Sequence, residues 1–199
     1  SSGVLHAAGA ADKGLVTSLE RDRVAWLLAP KAFGACYLHG ATMGVPLSVR
    51  VLFSSVSSGL GNTGQANYSA GNAYLDALAL TQRAQATIAC SVQWPLVGGA
   101  GMGAAAFGAM AGRQSSIPGM AGIALEEYAG CLSKQLSLSH GFVCSIQMMH
   151  LSAVGELLGD LADPSQPRFG ELAALAAQMP VVSAAKGAAG VQHGGSALA

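Results

Sequence analysis

The stretch "FSSVSSGLGNTGQANYSAGNAYLDALA" (residues 53–79) decides how the rest of the chain is read. An apolar run, Val51-Leu52-Phe53, ends in the hydroxyls of Ser54 and Ser55, and a glycine-punctuated segment follows. Beyond it, Tyr68, Asn72 and Leu75 recur on one helical face, which predicts a helix from about residue 67 to 85. Strand, turn and helix in one unbroken run is the unit of an α/β fold. No basic residue stands anywhere from Val51 to Gln82. That matters because a phenol, with an ordinary pKa of about 10, exchanges protons at neutral pH only where a nearby cation favours its ionised form. The candidate cation for Tyr68 is Lys31, distant in sequence but on a helix expected to pack alongside. Ser55 stands at the carboxyl end of its strand, where open α/β sheets bind ligands, so its hydroxyl could hold a substrate carbonyl.

Working outward, four apolar or β-branched runs (residues 3–7, 50–54, 88–94 and 142–147) each lead into a turn and then a helix-like segment. Such alternation argues for a parallel sheet covered by helices on both faces. Thr17-Ser18-Leu19-Glu20 has the spacing of a capping box opening a helix, and Pro30 is expected to end that helix and start the next, with Lys31 in the new first turn. Further helices are expected at residues 125–136, 154–161 and 169–177, the last two separated by Pro164-Ser165-Gln166-Pro167. Residues 181–199, rich in Ala, Gly and Ser, read as a disordered linker. The expected division is therefore 1–152 as the main body, 153–180 as a short helical extension and 181–199 as linker.

Bulk properties narrow the classes of function. The 199 residues carry 10 basic and 10 acidic side chains, so no global field draws nucleic acid or an anionic membrane surface. An apolar partner or a small neutral substrate fits better. Alanine and the 27 glycines dominate, implying a core of small side chains and closely approaching backbone. Cys36, Cys90, Cys131 and Cys144 show no paired spacing and lie in apolar runs, which reads as buried, reduced thiols in a cytoplasmic protein. Residues 86–112 hold no charge, but glycines, Pro95 and Gln93 interrupt them, so a strand and a glycine-rich lid are expected rather than a membrane span. The five histidines lack metal-ligand spacing, and no metal site is expected. No glycine-rich phosphate turn stands between a first strand and a first helix.

Four segments carry a resemblance: "VLHAAG" (4–9), "LAPKAFGACYLH" (28–39), "VLFSSVSSGLGNTGQANYSAGNAYLDALA" (51–79) and "SVQWPLVGGAGM" (91–102). Over roughly residues 3–150 the chain resembles the carboxyl-terminal part of ketoreductase domains of modular polyketide synthases, in the short-chain dehydrogenase/reductase superfamily. These domains exchange the lysine and asparagine positions found in most of that superfamily, which accounts for Asn72 one turn after Tyr68. The resemblance implies a Rossmann-like sheet lacking its first three strands and NADPH-dependent reduction of a β-ketoacyl thioester. It implies Tyr68 as general acid, Ser55 on the carbonyl oxygen, Lys31 beside the phenol and the nicotinamide ribose, and Asn72 orienting Lys31 and a relay water. Ala8 and Gly9 would make room for the nucleotide, and Pro95 and Leu96 would border the nicotinamide. The implied partners are an acyl carrier protein bearing the substrate on phosphopantetheine, and the amino-terminal half of the reductase domain. A second expectation is an inactive, truncated reductase that serves as a docking piece of a megasynthase. Fingerprints of the two stereochemical classes are replaced here by Ala11-Asp12-Lys13 and by Leu60, and Val97 stands where many relatives have a second tryptophan.

Overall fold

The structure, a computed structural model, describes residues 3–98, 117–137, 145–147, 150–151 and 153–178. Strands β1 (Gly3–His6), β2 (Val49–Ser55), β3 (Cys90–Trp94) and, after β4 (Met120–Ala121), β5 (Ser145–Gln147) build the fold. They form a parallel sheet in the order β1-β2-β3-β5, while β4 pairs antiparallel with β6 (His150–Leu151). Between β1 and β2 run α1 (Arg21–Leu28), a π turn (Ala29–Phe33) and α2 (Gly34–Ala41). A short α3 (Ser57–Leu60) and the long α4 (Ala66–Ala84) join β2 to β3. Then come α5 (Leu125–Ser137), α6 (Val154–Asp160) and α7 (Gly170–Gln178).

Alternation along β2 explains the layering, because neighbouring side chains of a strand face opposite ways. Leu52 packs on one face with Ala35 of α2, Leu75 and Ala79 of α4, and Ala89. The three alanines there are the small core expected from composition, and they let the helices lie close on the sheet. Val51 and Val92 face the other way, with Trp94, Ile123 and the α5 residues Tyr128, Cys131, Leu132 and Leu136. The Trp94 and Tyr128 rings lie 4.4 Å apart by centroid. Helices thus cover both faces, and the Rossmann-like α/β fold is as expected. A third cluster joins Val56, Ile117, Met120 and Leu157, so α6 packs beside the turn that follows β2.

Four local expectations need correction. Residues 16–18 form a 3-10 turn in which Ser18 Oγ donates to Leu15 O, and Leu19 and Glu20 are extended. No capping box forms, and α1 begins only at Arg21. Pro30 does not end the helix; the chain turns on through the wider π turn into α2. The third strand starts at Cys90, two residues later than expected. Cys36 is exposed on α2 and Cys90 and Cys131 are half-buried, because small thiols on helix faces and strand ends follow the element's orientation rather than local hydrophobicity. Cys144, most of the glycine-rich segment and residues 181–199 lie outside the described residues. Among the described residues, no helix is long and apolar enough to cross a membrane.

Candidate active site

The π turn places Lys31. Proline has no N–H to give to the helix ladder, and the turn widens so that Gly34 N–H reaches back to Ala29 O. Lys31 is 4% exposed. Its Nζ donates to Phe53 O at 3.0 Å and lies 5.6 Å from the centroid of the Tyr68 ring. Burial pushes the Lys31 pKa down to about 8, and the charge of Asp76 on α4 opposes that fall. From the other side, His6 at the end of β1 reaches Lys31 O at 3.3 Å; a carbonyl only accepts, so the ring carries its proton on Nε2. Burial lowers the His6 pKa; its hydrogen bond to Lys31 O opposes this, and the Lys31 charge adds to it.

Tyr68 stands in the first turn of α4, whose start is held by side chains. Tyr68 N–H donates to Asn67 Oδ1 (2.9 Å), and Asn67 Nδ2 donates to Asp12 Oδ2 (3.1 Å). Asp12 in turn pairs with Arg23, whose hydrogen bond holds the Asp12 carboxyl below its ordinary range. With Gly14 N–H on Gly64 O at 2.8 Å, this fastens the loop after β1 to the head of α4. Asn72 is fully buried. Its Nδ2 donates to Tyr68 O at 2.9 Å, while its Oδ1 is buried without a hydrogen-bond partner. Ser55 Oγ accepts from Ser57 N–H (3.3 Å) and from the Ser57 hydroxyl (3.1 Å), which leaves its own proton to donate.

The structure therefore brings Lys31, Tyr68 and Asn72 together, and sets Ser55 at the end of β2, two residues past the carbonyl that holds Lys31. Ala8 and Gly9 lie two and three residues past the end of β1, and Pro95 and Leu96 follow β3 directly. Because the three strands are parallel, all these positions share the carboxyl edge of the sheet. Sequence reasoning missed His6, Asp76 and the Asp12–Arg23–Asn67 tie. Asp76 was detectable: it repeats the four-residue step from Tyr68 to Asn72 along α4. The other two depend on contacts between distant segments and leave no periodic signal.

Residues 2–99 match the KR domain family. Polyketide synthase GfsA of Streptomyces halstedii is 50% identical over 95 residues, which is 48% of this chain and 1% of that protein. Phenolphthiocerol synthesis polyketide synthase type I Pks15/1 of Mycobacterium marinum is 37% identical over 138 residues, 69% of this chain and 7% of that one. Among solved structures, an A-type ketoreductase from a modular polyketide synthase superimposes with a TM-score of 0.73 at 26% identity, covering 87% of this chain and 36% of that chain. The chain thus spans a small part of these synthases and little more than a third of that ketoreductase.

Proposed function

The chain carries, over residues 2–99, part of a polyketide-synthase ketoreductase domain with a short-chain dehydrogenase/reductase fold, and on that premise we propose NADPH-dependent reduction of a β-ketoacyl thioester as its reaction. The substrate would hang from the phosphopantetheine arm of an acyl carrier protein, and the product would be the β-hydroxyacyl thioester. One observation carries the reading: an ammonium from the π turn faces a phenol from α4, 5.6 Å from its ring centroid.

The residues divide the work as follows. Ser55 donates its free proton to the ketone oxygen and holds it. Tyr68 protonates that oxygen as negative charge develops on it, a step worth about 10²–10⁴-fold for a positioned acid. Lys31 stabilises the phenolate left behind, with a charge that is little screened because the amine is buried. Asn72 Oδ1, buried and unpartnered, supplies an acceptor for the ammonium or for a relay water. When bound, the nicotinamide supplies the hydride. Ala8, Gly9, Lys31, Tyr68, Pro95 and Leu96 would hold its nicotinamide end, and the carboxyl edge of the parallel strands, onto which the segments after β1 and β3 open, fits that group. We read residues 1–152 as this catalytic part, 153–180 as an extension and 181–199 as a linker toward a carrier domain.

A second reading rests on β1, which pairs only with β2 among the described residues and leaves Leu5 48% exposed. An open, apolar strand edge favours pairing with another segment, so the amino-terminal part of the domain is the expected partner, and a docking-only role is the rival. To separate them, the chain is co-expressed with the amino-terminal part of a polyketide-synthase ketoreductase and NADPH oxidation is followed with a β-ketoacyl thioester. Turnover is expected, and Tyr68→Phe should lower it by about 100-fold or more. A Tyr68→Phe variant with undiminished turnover defeats the catalytic assignment.

A further inference from the structure

At the amino edge of the sheet, away from the site described above, a second polar cluster surrounds Arg50, the second residue of β2. Five residues of extended strand, about 16 Å, separate it from Ser55. The side chain is only 3% exposed. Arg50 Nη1 donates to His39 Nδ1 at 2.7 Å and to Gln82 Oε1 at 3.0 Å, and Nη2 donates to Thr42 Oγ1 at 2.6 Å. A guanidinium only donates, so His39 Nδ1 accepts and all three partners are neutral. The ten acidic side chains of the chain all lie within the described residues, and none of them pairs with Arg50. Among the described residues, Arg50 Nε is buried without a hydrogen-bond partner, and so is Gln82 Nε2. The cluster is short of an acceptor.

A tie between the carboxyl ends of α2 and α4 needs no charge, and those helix ends lend the guanidinium only partial negative charge. A buried charge without a full counter-charge is strongly destabilising. Arg50 also lines a cleft of about 270 Å³, together with Thr42 and the apolar side chains of Met43, Val45, Leu47 and Ile88. Met43, Val45 and Ile88 are exposed at its rim. That volume lies just below the range of drug-sized pockets and suits a small molecule. We propose that this cleft binds a small carboxylic acid with an apolar body, whose carboxylate meets the Arg50 guanidinium while its body lies against Met43, Val45, Leu47 and Ile88. Nη2 has a second hydrogen to give, and with the unpartnered Nε it forms the fork that takes a carboxylate side-on. Four apolar side chains favour an organic acid over inorganic phosphate, which offers no apolar surface to bury. The site lies outside the proposed reaction and does not depend on it.

Benzoate is the probe, with benzamide as its uncharged isostere and inorganic phosphate as an anion without an apolar body. The Arg50 Nε–H resonance of the full chain is followed by nitrogen NMR, assigned through bonds from its own backbone. Benzoate should move it saturably, and benzamide should bind at least about tenfold more weakly, because the charge-assisted hydrogen bonds to the carboxylate are lost. Arg50→Gln, read through the backbone amides of Thr87 and Ile88 at the cleft, should weaken benzoate binding by the same factor. No saturable shift with benzoate overturns the site. Equal binding of benzamide overturns it too, since the cleft would then be indifferent to charge, and phosphate binding as tightly as benzoate refutes the apolar body. Should Arg50→Gln not fold, the benzoate and benzamide titrations of the wild-type chain still decide. None of these readouts needs cofactor or turnover. Benzoate binding in a protein that reduces nothing leaves this inference standing and removes the proposed function.

Discussion

Lys31→Met removes the buried charge while keeping an unbranched chain of similar length, and its effect on stability can be worked out. Lys31 titrates at about 8 in the folded protein and at its ordinary 10.5 when exposed. The gap of roughly 2.5 units corresponds to about 3.4 kcal/mol by which the native state disfavours the protonated amine at neutral pH. Loss of the hydrogen bond to Phe53 O gives back about 1.5–3 kcal/mol, so at pH 7 the variant should be slightly more stable than wild type, by about 1 kcal/mol. The dependence on pH is the sharper measurement. The folded pKa is depressed, so between pH 8 and 10.5 the unfolded chain binds a proton that the native protein has released, and stability rises with pH. Wild type should gain roughly 2.5 kcal/mol over Lys31→Met between pH 7 and pH 10, and other groups cancel in the comparison. Denaturant unfolding at four pH values measures it, with two-state behaviour checked by two probes. A difference that stays flat or falls over this range refutes the account of Lys31. Its confirmation would mean that the site keeps a charge the fold would shed, as functional sites commonly do.

Two further predictions concern the scaffold. Gly119 has φ +72°, and a Cβ there would stand 2.0 Å from Ala153 O, so Gly119→Ala should cost about 3 kcal/mol or more by unseating α6; thermal unfolding within about 1 kcal/mol of wild type would contradict the close approach. His6→Gln retains a donor for Lys31 O without the titratable ring. Because burial depresses the His6 pKa, its contribution is complete above its ordinary 6.5 and is lost as pH falls below it. Urea titrations should therefore show wild type losing stability relative to His6→Gln on acidification from pH 6.5, and parallel acid profiles would count against a buried neutral histidine.

What could be read from the chain follows a physical division. The helix at Ala66–Ala84, expected at 67–85, was legible because Tyr68, Asn72, Leu75 and Ala79 face one way over about three turns, and summed burial on that face outweighs local choices. The helix around Lys31 was misread where the signal was local. Proline says stop, but Leu27, Ala32 and Ala35 on either side of Pro30 are all buried, and their packing holds the helix through a π turn instead. Thr17 and Glu20 failed for the same reason, since nothing packs behind their turn: Val16, Thr17 and Ser18 are all exposed. Asn72 sits where the two kinds of signal meet. Its place on the inner face is periodic and readable, yet an asparagine buried with one unpartnered oxygen is a poor choice for core packing alone. A hydrophobic residue would serve the fold better at that position. That a polar side chain stands there, between Tyr68 and Asp76 on the helix that carries the phenol facing Lys31, is a cost to stability that the proposed role of Asn72 would account for.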